Sequence, residues 1–154
     1  MILRTMQVTD IDSLLLIERA VHIVPWNKAA FDICLQTKGN FGWVIEGEGR
    51  PAGFIIVSFK MACHVLNLSI ARTYQRQGLG SQLLEFVVNQ AKKQEAPFIY
   101  LEVRRSNIPA INLYKKMAFS QIGARKNYYP IAGGYYEDAI IFAKNLPRDH
   151  MTEE

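Results

Sequence analysis

Seven residues, Gln75-Arg76-Gln77-Gly78-Leu79-Gly80-Ser81, carry the plainest chemical signal in the chain. They follow an apolar run at 65–70 and lead into Gln82-Leu83-Leu84-Glu85-Phe86, the start of an amphipathic stretch. A turn from strand to helix leaves backbone N–H groups without helical acceptors, and the helix dipole adds positive potential there. Such a turn suits an anion, phosphate above all. Gly78 and Gly80 lack a Cβ and let a phosphate approach the main chain closely, and Arg76 adds a full positive charge. The spacing is not a dinucleotide fingerprint, which needs three glycines at fixed offsets. Nor is it a Walker loop, because no Gly-Lys-Ser/Thr follows. The same residues also suit an ordinary strand–turn–helix connection, and the motif alone leaves the two readings level.

Glu102 is the second signal. It is the single charge within the apolar run at 98–103. Desolvation in such a strand raises a carboxyl pKa, and a raised carboxyl suits a general base. A strand-end glutamate that reaches water or pairs with Arg104 is the alternative. Cys63 could act as a nucleophile, but the adjacent His64 would face the other side of a strand and could not activate it. A reduced, structural cysteine is the better reading.

These groups have to be positioned by a modest scaffold. The 154 residues suit one domain with a single core, and 49% apolar with 21% charged residues is ordinary for a globular protein. No apolar run approaches the ~20 residues of a membrane helix. The N-terminus has no basic segment followed by an apolar one, so no signal peptide is expected. Cys34 and Cys63 lack metal-ligand spacing, which points to a reduced, cytoplasmic protein without a metal. The net charge of +4 is compatible with a nucleic acid, a phosphorylated ligand or neither. The basic residues are scattered, with pairs at Lys92-Lys93, Arg104-Arg105 and Lys115-Lys116, the pattern of a solvated surface.

Residues 2–7 read as a strand. Thr9 or Asp10 caps a helix with Ile11, Leu14, Leu15 and Ile17 on one face, ending near His22. Asn27 caps a second helix with Ala30, Phe31, Cys34 and Leu35 on one side. Residues 41–45 and 52–59 form a hairpin, and 65–70 a further strand. A helix follows over 81–94, then a buried strand at 98–103. Pro109 sits in the first turn of a helix that carries Ala110, Leu113, Tyr114 and Met117. A short strand at 119–123, a loop at 125–137 and a strand at 139–143 complete the domain, assigned to 1–146. Residues 147–154 form a polar, mobile tail. The order β-α-α-β-β-β-α-β-α-β-β predicts a mixed α/β sheet domain.

That order, and a set of separated motifs, resemble a known family. The motifs are Tyr74-Gln75-Arg76-Gln77-Gly78-Leu79-Gly80, Leu101-Glu102-Val103-Arg104, Ser106-Asn107, Leu113-Tyr114, Arg125-Lys126-Asn127-Tyr128-Tyr129-Pro130 and Glu137-Asp138-Ala139-Ile140-Ile141, with His22 and Pro25-Trp26 upstream. Together they resemble the GNAT N-acetyltransferases, and more closely the RimI-type ribosomal-protein-alanine N-acetyltransferases, over roughly residues 2–143. The resemblance implies the GNAT acyl-CoA N-acyltransferase fold, with acetyl-CoA as donor and no metal. It places the CoA pyrophosphate on Arg76, Gln77, Gly78, Leu79, Gly80 and Ser81. The pantetheine arm would lie along Leu68, Ser69 and Ile70, and Asn107 would contact the cofactor. By the same resemblance Glu102 would take the amine proton, directly or through water, and Tyr114 would protonate the departing thiolate. Attack would be direct, without an acyl-enzyme.

The acceptor implied is the N-terminal alanine of a small-subunit ribosomal protein, gripped by Trp26, Tyr128 and Tyr129. An α-amine titrates near ~7.7–8.0, against ~10.4 for lysine, so a modest base suffices. Glu18, Glu137 and Asp138 are candidate acidic groups for a basic peptide, and ordinary surface charge accounts for each equally well. The expected protein is a cytoplasmic monomer that binds neither membrane nor nucleic acid directly. An acetyltransferase for lysine, a polyamine or another small amine is the enzyme alternative, and a CoA-sensing or RNA-docking module is the non-enzyme one. Three departures from the family pattern stand out. Ala118 replaces a glycine after the fourth helix, and strains the chain by about 1 kcal/mol if that position needs φ > 0. Ala71-Arg72-Thr73 replaces an acidic residue and proline, and would add positive charge near the cofactor. The run at 131–136 is unusually aromatic and could alter peptide preference.

Overall fold

The computed structural model describes residues 1–147. The tail expected at 147–154 therefore falls, from residue 148 on, outside the described residues. The elements are β1 (Ile2–Thr5), α1 (Ile11–Val21), α2 (Lys28–Gln36), β2 (Asn40–Gly47), β3 (Arg50–Phe59), β4 (Cys63–Ile70), α3 (Leu79–Lys93), β5 (Phe98–Arg104), α4 (Ile108–Lys116), β6 (Ser120–Pro130) and β7 (Tyr136–Asn145). This is the order read from the sequence. The strands follow the order β1-β2-β3-β4-β5-β7-β6 in a mixed sheet, with β4 and β5 parallel.

The chain divides into two compact units, Met1–Ser58 with Leu66–Leu84, and Phe59–Val65 with the chain from Glu85 onward. In the first, α1 and α2 bury Ile11, Leu14, Leu15, Ile17 and Phe31 with Val44, Phe54 and Ile56 of β2 and β3. Phe31 meets Trp26 and Phe54 edge-on, with ring centroids 5.3 and 5.7 Å apart, an arrangement aromatic quadrupoles favour. Asn27 caps α2 as expected, its Oδ1 accepting the Ala30 N–H at 2.8 Å. The cap expected for α1 does not form. Asp10 turns back instead, accepting the Gln7 N–H at 2.7 Å and two bonds from the Arg4 guanidinium at 2.8 Å. A bidentate guanidinium–carboxylate pair outcompetes a cap bond for the same oxygens.

Arg72 has an internal partner. Its guanidinium donates through Nε and Nη2 to the Ala20 carbonyl in the last turn of α1. The charge thus satisfies an orphan helix carbonyl.

In the second unit, Ile99, Leu101 and Val103 of β5 are buried, and the residues between them are not. That alternation sets Tyr100, Glu102 and Arg104 together on the other face. Asn107 caps α4 by accepting the Ala110 N–H at 3.3 Å, with a proline in the first turn as read from Pro109. The helix stops at Ala118, whose φ is +67°. The Phe119 N–H returns to the Tyr114 carbonyl at 2.9 Å, the pattern of a left-handed helix stop that favours glycine.

The loop expected at 125–137 is mostly strand. β6 continues to Pro130 and β7 starts at Tyr136, with a register irregularity between Arg125 and Tyr129. Asn127 in that interval has φ +52°. β6 stands at the end of the strand order and its residues are largely exposed. An exposed strand needs no apolar alternation, so the sequence carries no period for it.

Candidate active site

The glycine turn adopts the backbone its composition suggests. Arg76 and Gly78 both lie in the left-handed region, with φ +65° and +80°. Two side-chain amides brace it, Gln75 donating to the Ile70 carbonyl at 3.0 Å and Gln77 to the Thr73 carbonyl at 3.4 Å. The first helical bond runs from the Gln82 N–H to the Gly78 carbonyl at 3.0 Å. The N–H groups of Leu79, Gly80 and Ser81 therefore have no helical acceptor. Curled backbone with free N–H groups at a helix start is an anion-binding arrangement.

The ladder between β4 and β5 covers Cys63↔Ile99 and His64↔Tyr100. Leu68, Ser69 and Ile70 lie beyond it. The Ser69 side chain is committed elsewhere, because it belongs to a buried polar chain in the first unit. Ser69 Oγ donates to Asn67 Oδ1 at 2.7 Å, and Asn67 Nδ2 donates to Glu18 Oε1 at 3.0 Å. A hydroxyl has one hydrogen, so the 2.6 Å contact between His22 Nε2 and Ser69 Oγ requires His22 to donate. Glu18 also accepts the Trp26 N–H at 3.0 Å. Glu18 is 1% exposed, so it is no surface acid for a basic peptide. It holds the loop between α1 and α2, in which Ile23 and Val24 are exposed and the Trp26 ring leans on Phe31.

In the second unit, Glu102 sits in a setting the sequence did not foretell. Its Oε1 lies 2.5 Å from His64 Nε2. Its Oε2 lies 3.7 Å from Arg125 Nε. The His64 ring stacks on Tyr100, with centroids 4.3 Å apart and planes 10° from parallel. The parallel register explains this, since it sets His64 opposite Tyr100 and Glu102 shares Tyr100's face of β5. The expectation of a raised Glu102 pKa is overturned. The His64 hydrogen bond lowers it most, burial opposes, and the charges of His64 and Arg125 lower it further, so the net direction is down. Desolvation acts as foreseen but is outweighed.

Tyr114 is buried on α4, its ring near Phe119 and Phe142 at 5.9 and 6.1 Å. Burial pushes its phenol well above the usual range, so it holds its proton. Tyr129 is half-buried, its phenol pushed up to about 12 by burial and by Glu102. The Arg104 guanidinium lies 4.6 Å over its ring and donates to the Pro130 carbonyl at 3.0 Å. Tyr128 is 48% exposed and meets Tyr129 edge-on at 4.9 Å. Arg125 lies 5.6 Å over the Tyr128 ring.

Glu137 and Asp138, expected as acids facing a peptide, have internal partners. Glu137 accepts the Ser106 N–H and hydroxyl at 2.9 and 3.0 Å and meets Arg104 at 3.4 Å. Asp138 accepts the Asn127 N–H at 3.1 Å and meets Arg105 at 3.2 Å. Asn107 uses its Oδ1 on the α4 cap. Burial pushes the Cys63 thiol up to about 12, which leaves it protonated and unreactive at neutral pH. His64 is the functional candidate that sequence reasoning missed. Its only signal was a polar side chain on the face of β4 opposite Cys63, and its partner lies across a parallel pairing that no local pattern encodes.

The comparisons with known proteins bear on the turn, the strand carboxylate and the aromatic hairpin alike. The model of the Acetyltransferase (GNAT) family matches residues 11–119, a span that holds the glycine turn, Glu102 and Tyr114. Over 140 residues the chain is 34% identical to the [Ribosomal protein bS18]-alanine N-acetyltransferase of Escherichia coli strain K12, covering 90% of this chain and 93% of that protein. The crystal structure of the Escherichia coli ribosomal-protein alanine N-acetyltransferase superposes with a TM-score of 0.86 at 32% identity, over 96% of each chain. NAA60 of Arabidopsis thaliana, solved with acetyl-CoA, shares the fold with a TM-score of 0.83 at 20% identity, over 94% of this chain and 98% of that one. With its strand order, its glycine turn at the head of α3 and these relatives along nearly its whole length, the chain belongs to the acetyltransferase (GNAT) family.

Proposed function

We propose that the chain transfers acetyl from acetyl-CoA to the α-amine of the N-terminal alanine of a small-subunit ribosomal protein. The observation that carries this is the 34% identity to a bS18-alanine N-acetyltransferase along 90% of the chain. The backbone N–H groups of Gln77, Gly78, Leu79, Gly80 and Ser81, with Arg76, receive the pyrophosphate. The main chain of Leu68, Ser69 and Ile70 pairs with the amides of the pantetheine arm as a missing strand would. Asn107 keeps its Oδ1 on the helix cap and offers its Nδ2 hydrogens to the cofactor. Trp26, Tyr128 and Tyr129 receive the peptide. The protein works in the cytoplasm as a monomer, the latter checked by its mass in solution.

Glu102 serves as base in its ionised form. The α-ammonium N–H bond breaks and its proton passes to the Glu102 carboxylate, directly or through water. The freed nitrogen attacks the thioester carbonyl, the N–C bond forms and the C–S bond breaks. The departing sulfur takes the Tyr114 proton, and the nitrogen's second proton, lost as the amide forms, passes through water to restore the Tyr114 hydroxyl. A carboxylate held ionised is a weak base, and the low pKa of an α-amine relative to lysine compensates, since part of the amine is already neutral near pH 7.

The test is acetylation of a synthetic peptide with a free N-terminal alanine copied from such a ribosomal protein. Glu102→Gln is expected to lose about 10²-fold or more in kcat while keeping its acetyl-CoA affinity. Wild-type turnover in that variant removes Glu102 from the chemistry. A lysine peptide with a blocked N-terminus serves as the rival substrate, and faster transfer to it overturns the assignment of the acceptor.

A further inference from the structure

We propose that His64 is a positioning residue for the base. Its Nε2–H holds Glu102 Oε1, and so leaves Oε2 as the oxygen that takes the substrate's proton. This rests on the assignment of Glu102 as base above.

The hydrogen placement follows from chemistry. An ionised carboxylate only accepts, so a 2.5 Å approach of nitrogen to Oε1 needs a hydrogen on Nε2. His64 is therefore the donor in the resting state, and its Nε2 cannot receive a proton from Glu102. The imidazole cannot swing away easily, because its ring is stacked on Tyr100 at 4.3 Å with planes 10° apart. A hydrogen bond and a ring stack thus fix the imidazole, and the imidazole fixes the carboxylate. Arg125 Nε lies 3.7 Å from Oε2, beyond hydrogen-bond range. The residue's own backbone N–H also favours the ionised carboxylate, and with that single main-chain donor Oε2 keeps a lone pair for the substrate. In the proton transfer the ammonium N–H bond breaks, an O–H bond forms at Oε2, and His64 keeps its own hydrogen. A cation and an anion become two neutral groups.

The ionisable groups that bear on Glu102 are His64 on β4, Tyr100 on its own strand, and Arg125 and Tyr129 on β6. Of these, His64 does most to favour the ionised form, and burial opposes it. Without His64, burial is opposed mainly by Arg125, and ionisation of Glu102 moves to higher pH.

Three variants test the idea. His64→Phe keeps an aromatic ring for Tyr100 but has no donor. His64→Gln has a donor but no imidazole. His64→Ala has neither. Two measurements are made on each, kcat/KM against pH with the alanine peptide, and the pH titration of the Glu102 carboxyl carbon by NMR. Acetyl-CoA affinity reports that each variant is folded. His64→Phe and His64→Ala are expected to lose about tenfold in kcat and to show the acid limb and the Glu102 titration displaced to higher pH. His64→Gln is expected to recover most of kcat. An undisplaced Glu102 titration in His64→Phe overturns the proposal, and so does a displaced titration accompanied by wild-type kcat. If the wild-type protein does not acetylate the peptide, the proposed function fails. The carboxyl titration still judges the coupling of His64 to Glu102, with an unmoved titration counting against it.

Discussion

At the scale of single residues, polar partners decide more than residue types do. Glu18, Glu137 and Asp138 read alike in sequence, as acids that either meet a basic peptide or are ordinary surface charges. Each has internal donors instead. Glu18 is the clearest case, because burial of a carboxylate requires donors. Asn67 is the link that supplies one donor to Glu18 and the acceptor for Ser69. Asn67→Ala is expected to destabilise the fold by about 2–3 kcal/mol, since it removes the short bond to Glu18 Oε1, which is left with His22 Nε2 at 3.5 Å, and the acceptor of the Ser69 hydroxyl hydrogen. Ser69→Ala is expected to cost about 1 kcal/mol. Urea unfolding of both variants checks the ranking, and equal costs would show that the chain of bonds does not act through Asn67. Glu102 yields a prediction in pH. Its folded pKa is lowered, so its contribution to stability is complete above the unfolded carboxyl value, ~4.3. That contribution is lost as pH falls through the folded value. The stability gap between wild type and Glu102→Gln should therefore shrink between pH 7 and pH 3, as read from denaturant midpoints.

At the scale of elements, the local signals held where local physics sets the outcome. Asn27 caps its helix as read, because an Asx oxygen and a nearby N–H meet within one turn of chain. Asn107 does the same for α4, a role the sequence reading did not assign to it. The glycine turn precedes α3 for the same reason. The end of β6 escaped notice because edge pairing is decided by β7, not by any pattern within β6 itself. Ala118 carries the strain anticipated for it, at φ +67° on an exposed position. Ala118→Gly is expected to raise stability by about 0.5–1 kcal/mol, the relief of left-handed strain less the added freedom of the unfolded chain. An unchanged midpoint in calorimetry counts against that strain. The reverse change in the cofactor turn tests its geometry. Gly78 has φ +80°, and a Cβ there would meet no atom of the described residues within 4 Å. Gly78→Ala is therefore expected to cost about 1 kcal/mol from backbone strain alone. Its acetyl-CoA affinity should fall, by titration calorimetry, because the ligand's approach needs that space.

At the scale of the whole molecule, β4 and α3 each contribute residues to both compact units. We propose that residues 1–146 unfold as one cooperative domain, because neither unit can keep its share of those two elements once the other has melted. Equal calorimetric and van't Hoff enthalpies would support this, and two resolved transitions would overturn it. Among the described residues no helix is long and apolar enough to cross a membrane. The sequence by itself determined the order of elements and the glycine turn, because both rest on short-range patterns: alternation, caps, and free N–H groups at a helix start. The family was legible there only as a resemblance carried by several separated motifs in order. Only the tertiary structure decided the state of Glu102. Its ionisation is a sum of burial, a hydrogen bond from His64 38 residues away and the charge of Arg125. Those terms have opposite signs, and their balance exists only once a parallel pairing has set His64 opposite Tyr100 on the face that Glu102 shares.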